Sequence, residues 1–150
     1  MTNQLLLYKA VELFDGLTTD QIEALITISQ QEVYHEDQTI FAQDDEGDRM
    51  YIIRSGQVEV SVQKNIHTPA ETKIFLGQGQ IFGEIALIDY GRRSATVKAM
   101  ADKTVVDTIH RENFNKLCQS NTAIGFVVMR NLAIDLSYKL RHQNLRDAER

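Results

Sequence analysis

Between Phe82 and Ala95 the chain sets a glycine, a carboxylate and an arginine at a spacing that suits a small ligand carrying both a phosphate and a sugar. Gly83 lets the backbone approach such a ligand closely. A helical turn starting at the next residue would leave the N–H groups of Glu84, Ile85 and Ala86 as free donors for an anion. Nine positions after Glu84 stands Arg93, whose planar fork fits two phosphate oxygens, and Ser94 and Ala95 add a hydroxyl and another backbone donor. Glu84 is a poor neighbour for a phosphate but a strong acceptor for a sugar hydroxyl. A Gly-Glu-aliphatic triplet alone is weak evidence, and a lone arginine is most often a solvated surface residue. It is their joint spacing that points to one ligand with both groups.

The other chemistry-bearing residues point nowhere comparable. His35, His67, His110 and His142 lack metal-ligand spacing, so no metal and no cofactor is expected. Cys118, the only cysteine, lies beside Leu117 in a helical run and reads as a small packed residue rather than a nucleophile. Nothing resembles a catalytic triad or dyad, and the chain is read as not an enzyme.

These residues need elements to hold them. A chain of 150 residues, 43% hydrophobic and 25% charged, falls in the range of one globular domain, expected over 1–150. A net charge of −5 argues against a surface that neutralises many phosphates, so nucleic acid is not an expected partner. There is no apolar run long enough for a membrane helix and no signal-peptide pattern, which gives the expectation of a soluble cytoplasmic protein without a membrane partner. Leu5-Leu6-Leu7, followed by Tyr8-Lys9, reads as a packed helix face.

The hydrophobic period changes from helical to alternating and back again, which predicts helices over about 4–30, strands over about 31–110 and helices over about 111–147. Thr18 three residues before Gln21 fits a capping box, followed by Ile22, Leu25, Ile26 and Ser29 on one helical face. Asp44-Asp45-Glu46-Gly47-Asp48 reads as a loop and Ser55-Gly56 as a tight turn. In Gln57–Gln63, Val58, Val60 and Val62 alternate with polar residues as a half-buried strand requires, and Met50–Arg54 is the expected pairing partner. A polar loop with Pro69, a strand at Thr72–Leu76, a turn at Gly77-Gln78-Gly79, and strands at Ala95–Met100 and Thr104–Ile109 follow. From about Thr122 a long helix begins, and Phe126, Met129, Ala133, Leu136 and Leu140 form a heptad seam. Ile124, Val127, Val128 and Ile134 lie off that seam. A helix apolar on more than one side calls for two neighbours, the domain on one face and a second copy, as a homodimer, on the other. The plainer reading packs all these residues within one monomer.

The run Phe-Gly-Glu, aliphatic, Ala-Leu, short loop, Arg-Ser-Ala-Thr-Val resembles the phosphate-binding cassette of the cyclic-nucleotide-binding domain family, of the type found in the catabolite activator protein and the regulatory subunits of cAMP-dependent protein kinase. Gly47-Asp48, Met50-Tyr51-Ile52-Ile53, Ser55-Gly56, Val58 and Val60 look like the family's first long hairpin. The resemblance implies a mainly β fold: an eight-stranded antiparallel β-roll, jelly-roll-like, with N-terminal helices, a short cassette helix and a long C-terminal helix. It implies further that Glu84 accepts the ribose 2′-hydroxyl and that Arg93 pairs with the cyclic phosphate. Phe82, Ser94 and backbone at Gly83, Ile85, Ala86 and Ala95 complete the cradle. Tyr138 and His142, one turn apart on the final helix, are the corresponding candidates for a lid over the base.

Two departures from the family pattern stand out: Arg92 occupies a place where many members have proline, and Asp44 one where glycine is usual. Asp tolerates left-handed backbone, so the turn at Asp44 is expected to survive. Ser94, rather than threonine, leans toward cAMP over cGMP. The implied function is a ligand-controlled sensor that switches an unidentified effector protein through its final helix or dimer surface. The alternatives are a dimerisation module with a non-functional pocket, or the sensor part of a larger transcription factor or signalling protein. The run Gln143–Arg150 after Arg141 leaves no expected helix-turn-helix.

Overall fold

The computed structural model describes residues 2–148, and the side chains of residues 2–142. Residues 1, 149 and 150 of the domain expected over 1–150 lie outside the described residues. Thr2 caps α1 (Asn3–Lys9), its Oγ1 accepting from the Leu5 N–H at 3.1 Å. Leu5 is buried and Leu7 half-buried, while Leu6 faces water. After a 3-10 turn at Glu12–Phe14, Thr18 and Gln21 form the expected capping box at the start of α2 (Thr19–Ile28), whose Ile22 and Leu25 are buried.

Eight strands follow: β1 (Gln30–Tyr34), β2 (Thr39–Phe41), β3 (Arg49–Ser55), β4 (Val58–Val62), β5 (Glu71–Leu76), β6 (Ile81–Phe82), β7 (Thr96–Ala99) and β8 (Thr104–His110). They form two four-stranded antiparallel sheets, ordered β1-β8-β3-β6 and β2-β7-β4-β5. Two helices close the chain, α3 (Arg111–Ser120) and α4 (Thr122–Ala148). This is the antiparallel roll with flanking helices and a long last helix that the resemblance implies. No described helix is long and apolar enough to cross a membrane.

One expected pairing is overturned. β4 does not pair with Met50–Arg54; it lies between β7 and β5, while β3 lies between β8 and β6 in the other sheet. Burial gives the reason. Met50, Tyr51, Ile52 and Ile53 are all buried, as befits a strand with covered faces on both sides. Met50 and Ile52 join Ile109, Phe114, Ile124, Val128 and Leu132 beneath the helices. Tyr51 and Ile53 join Val58, Phe82, Val97 and Val106 between the sheets. β4 buries Val58 fully and leaves its other residues half-covered, so it belongs to the sheet without helices. Each fully buried Ile or Met side chain contributes roughly 1.5–3 kcal/mol, which favours the layer that gives β3 two covers.

One carboxylate ties α1 to the first sheet. Asp107 on β8, 1% exposed, accepts from Tyr8 Oη at 2.8 Å and from Gln4 Nε2 at 3.0 Å, and Arg54 Nη1 lies 3.7 Å from its other oxygen. Burial pushes the Tyr8 phenol well above its ordinary value. On α4 the buried stripe is Ile124, Val128 and Leu132. Of the heptad seam, Met129 and Leu136 pack against this monomer's own core. Phe126, Ala133 and Leu140 are exposed, and so is Ile134, expected off the seam. The helix drifts from a 3.5-residue period, so a strict heptad rotates between the two faces.

The turn that sends the chain from one sheet to the other rests on Gly56, with φ +89°. A Cβ there would stand 2.6 Å from Thr104 Oγ1 and 2.8 Å from Thr104 Cα. Gly56→Ala is therefore expected to destabilise the protein by about 1–3 kcal/mol, read from the urea midpoint. An unchanged midpoint would contradict this account of the crossing.

Candidate functional site

β6 runs into Gly83, which adopts the left-handed conformation (φ 72°) and caps a 3-10 turn at Glu84–Leu87. Ala86 and Leu87 are buried and anchor the turn, whereas Ile88, Asp89 and Tyr90 are exposed. Of the three N–H groups expected to be free, that of Ala86 donates to the Gly83 carbonyl at 3.2 Å. A 3-10 turn closes over three residues and so consumes a donor that an α-turn would have left open. The Glu84 and Ile85 N–H groups have no backbone carbonyl partner among the described residues.

Arg93 folds inward and is 8% exposed. Its Nη1 donates to the Gly83 carbonyl at 3.2 Å and its Nη2 to the Arg49 carbonyl at 2.8 Å, while Nε is buried with no partner. The guanidinium lies over Phe41, 4.1 Å from the ring centroid, and within 5.7 Å of the Tyr51 ring. Tyr51 stacks on Phe82 with centroids 4.7 Å apart and planes 2° from parallel. Two glycines make the slot: a Cβ on Gly47 would lie 2.8 Å from Arg93 Nε, and one on Gly83 would lie 2.7 Å from Nη1. Burial pulls the Arg93 pKa below its ordinary value, with Tyr51 and Asp48 opposing. Arg93 makes no ion pair among the described residues; its favourable contacts are carbonyl dipoles and ring faces.

The neighbouring loop braces this slot. The Arg93 N–H donates to Asp45 O at 2.7 Å, and its carbonyl accepts from the Asp44 N–H at 2.8 Å. Asp44 takes φ 76°, the left-handed turn that the sequence allowed for. Arg92, exposed, donates to the Asp44 carbonyl at 2.9 Å, so this second cation ties the loop rather than entering the slot.

Glu84 has a different partner. Its side chain, 14% exposed, meets Lys139 of α4, with Nζ 3.6 Å from Oε1, and the same Nζ donates to Asp135 at 2.9 Å. Partial burial pulls the Lys139 pKa down, but the Asp135 hydrogen bond and the charge of Glu84 outweigh it and hold it above the ordinary value. Glu84, Lys139, Asp135 and Tyr138 line a groove of about 1100 Å³ between α4, the residues following α1 and the β5–β6 turn. Arg93 is not among its lining residues.

The remaining candidates are spread along these elements. Phe82 is buried in the aromatic stack, Ile85 and Ala95 are half-buried, and Ser94 is exposed. Tyr138 is 61% exposed, with the His142 ring 3.9 Å from its own and the His142 Nδ1 hydrogen-bonded to the Tyr138 carbonyl at 3.0 Å. Thus Gly83 and Arg93 come together directly, Glu84 is turned to α4, and Tyr138 shares the groove with Glu84. Sequence reasoning missed Phe41, Tyr51, Lys139 and Arg111 as parts of the site. Only Tyr51 lay in a motif already singled out. Among the described residues no cluster of three His, Cys, Asp or Glu forms a metal site.

A model of the cyclic nucleotide-binding domain family matches residues 31–121. The chain is 31% identical to the cyclic AMP receptor protein of Thermus thermophilus over 137 residues, 91% of this chain and 61% of the receptor. It is 37% identical to a cGMP-dependent protein kinase of Caenorhabditis elegans over 108 residues, 71% of this chain and 14% of the kinase. The chain thus spans about three-fifths of the first relative and a seventh of the second. The crystal structure of Thermus thermophilus catabolite activator protein superposes with a TM-score of 0.80 at 31% identity, covering 90% of this chain and 61% of that one.

The slot around Arg93 can be tested without any ligand. Gly47→Ala forces Nε and Cζ aside and is expected to cost about 1–3 kcal/mol of unfolding free energy. Gly91→Ala meets only the Asp89 side chain, at 3.2 Å, and is expected to cost less than about 0.5 kcal/mol. Equal urea midpoints for the two variants would mean that the slot is not tight.

Proposed function

The chain belongs to the cyclic nucleotide-binding domain family, and from that premise we propose that it is a non-catalytic, cytoplasmic sensor for a cyclic nucleoside monophosphate. One observation carries this reading: Arg93 is a buried cation whose Nε has no hydrogen-bond partner and which makes no ion pair among the described residues. Buried charges are ordinarily paired, so this slot calls for an anion supplied from outside. A cyclic phosphate brings the one negative charge that such a cation calls for, while Gly47 and Gly83 leave the room in which the guanidinium itself is held. On this reading Ser94 and the Ala95, Ile85 and Glu84 N–H groups complete the phosphate contacts, and the stacked Tyr51 and Phe82 back the Arg93 side chain from the core. The proposed ligand is cAMP, with cGMP as the alternative; the names of the two relatives, a cyclic AMP receptor and a cGMP-dependent kinase, support both.

The sugar supplies the second half of the mechanism. A ribose 2′-hydroxyl that donates to Glu84 competes with Lys139 for the same carboxylate. Binding therefore loosens α4 from the cassette, and a ligand shifts such an equilibrium only by its differential affinity for the two states. The freed part of α4 carries Tyr138 and His142, which are then available to cover the base. The exposed residues Phe126, Ile134 and Leu140 along α4 form the surface through which a second copy, or an effector protein, reads the change. Neither nucleic acid nor a membrane is a partner in this scheme.

Calorimetry with cAMP and cGMP tests the reading. Micromolar binding corresponds to about −8 kcal/mol, and Arg93→Gln removes one side of a buried charge pair, a loss of roughly 2–5 kcal/mol. Saturable heat with the parent protein and none with the variant is the expected result; no heat from the parent with either nucleotide refutes the proposal. Lys139→Met frees Glu84 and is expected to tighten binding by about two- to fivefold. Weaker binding by that variant would mean that Lys139 holds the ligand instead of competing with it.

A further inference from the structure

The first residue of α3 reaches back into the candidate site. Arg111 Nη1 lies 2.9 Å from each of three carbonyl oxygens, those of Gly47, Ala86 and Asp89. Its backbone N–H donates to the Asp48 carbonyl at 2.8 Å, and its guanidinium carbon sits 3.9 Å above the Tyr90 ring. Three carbonyls from two separate segments thus converge on one nitrogen. Ala86 belongs to the 3-10 turn and Asp89 follows it, so two of the acceptors are carbonyls that the end of the turn leaves for an outside donor. The third, from Gly47, belongs to the residue that walls the Arg93 slot, and Gly83 at the other end of the same turn forms the opposite wall.

We propose that Arg111 is a positioning residue for ligand capture: it clamps the loop Asp44–Asp48 to the cassette Glu84–Gly91 and so sets the distance between the two walls of the Arg93 slot. The capture itself rests on the function proposed above; the clamp does not. A guanidinium is suited to the place because its flat face stacks on Tyr90 while its edge meets the carbonyls. The clamp also gives the cassette a second attachment to the C-terminal helices. Arg111 opens α3, and α3 packs against α4 so closely that a Cβ on Gly125 would lie 3.1 Å from Cys118 Sγ. When a ligand draws Glu84 away from Lys139, the turn pivots on the Arg111 end and does not come free.

The test combines amide hydrogen exchange on the ligand-free protein with nucleotide titration. In Arg111→Gln, exchange at 44–48 and 84–91 is expected to accelerate about tenfold or more, while exchange in β3 and β8 and the urea midpoint change little. Affinity for cAMP is expected to fall about tenfold or more, mainly through faster dissociation. Arg111→Lys should recover part of both effects, since an ammonium reaches the carbonyls but does not stack flat. Tyr90→Ala, at an exposed ring, should give a smaller acceleration confined to the same two segments, and it serves in place of Arg111→Gln if that variant does not fold. Unchanged exchange at 44–48 and 84–91 in the variants, or exchange raised uniformly through the roll, overturns the clamp. An Arg111→Gln affinity within twofold of the parent overturns its role in capture. A parent protein that binds no nucleotide refutes the proposed function and the role in capture together, and the exchange arm still decides whether the clamp exists.

Discussion

A positive charge inside a protein is tolerated only where dipoles or opposite charges replace the water it has lost. Everything around Arg93 can be read as the solution to that constraint. Two backbone carbonyls and the faces of Phe41 and Tyr51 supply partial compensation. None of these carries a full charge, and Nε is left without any partner. The glycines at 47 and 83 exist in this account because a side chain at either place would occupy the volume of the guanidinium. The loop Asp44–Asp48 and the 3-10 turn are then the two jaws of one holder, built from segments far apart in sequence and brought together by the roll.

The roll can do this because its two sheets are covered differently. The sheet containing β3 and β8 is sandwiched between the inter-sheet core and the helices, and the loop Asp44–Asp48 runs directly into its β3. The cassette hangs from the end of β6 and touches the helices at both its ends, through Lys139 on α4 and Arg111 on α3. A change in the small turn therefore has a short mechanical path to the long helix. Asp107 ties α1 to the first sheet through Tyr8 and Gln4, and Asn131 of α4 is bonded in turn to the Leu13 and Asp15 carbonyls.

Local signals in the sequence were the dependable ones. The Thr18–Gln21 capping box, the strand at β4, the Ser55-Gly56 turn and the left-handed Asp44 are each decided within a few residues, and each is present, although in β4 only Val58 is fully buried. The cassette was readable because its glycine, acid and arginine lie in one short run. What failed was pairing between neighbours. β3 and β4 look like a hairpin by proximity, and only burial on both faces of Met50–Ile53 assigns them to different sheets. Long-range partners left no trace at all: a lysine on an exposed helix turn and an arginine at a strand-to-helix junction have no spacing relation to Glu84 or Ala86. The heptad on α4 was real as a pattern, but the monomer's own core claims Met129 and Leu136.

Lys139 stands between two acids, with Asp135 nearer than Glu84. If Glu84 is taken by another donor, the ammonium keeps a carboxylate one helical turn away and the carboxylate gains a hydroxyl, so neither group is stranded. An exchange of partners with no orphaned charge has a shallow energy difference between its end states. In the proposed sensor, such a pair is tipped by a small difference in ligand affinity between the two arrangements, and it returns to the Lys139 contact when the ligand leaves.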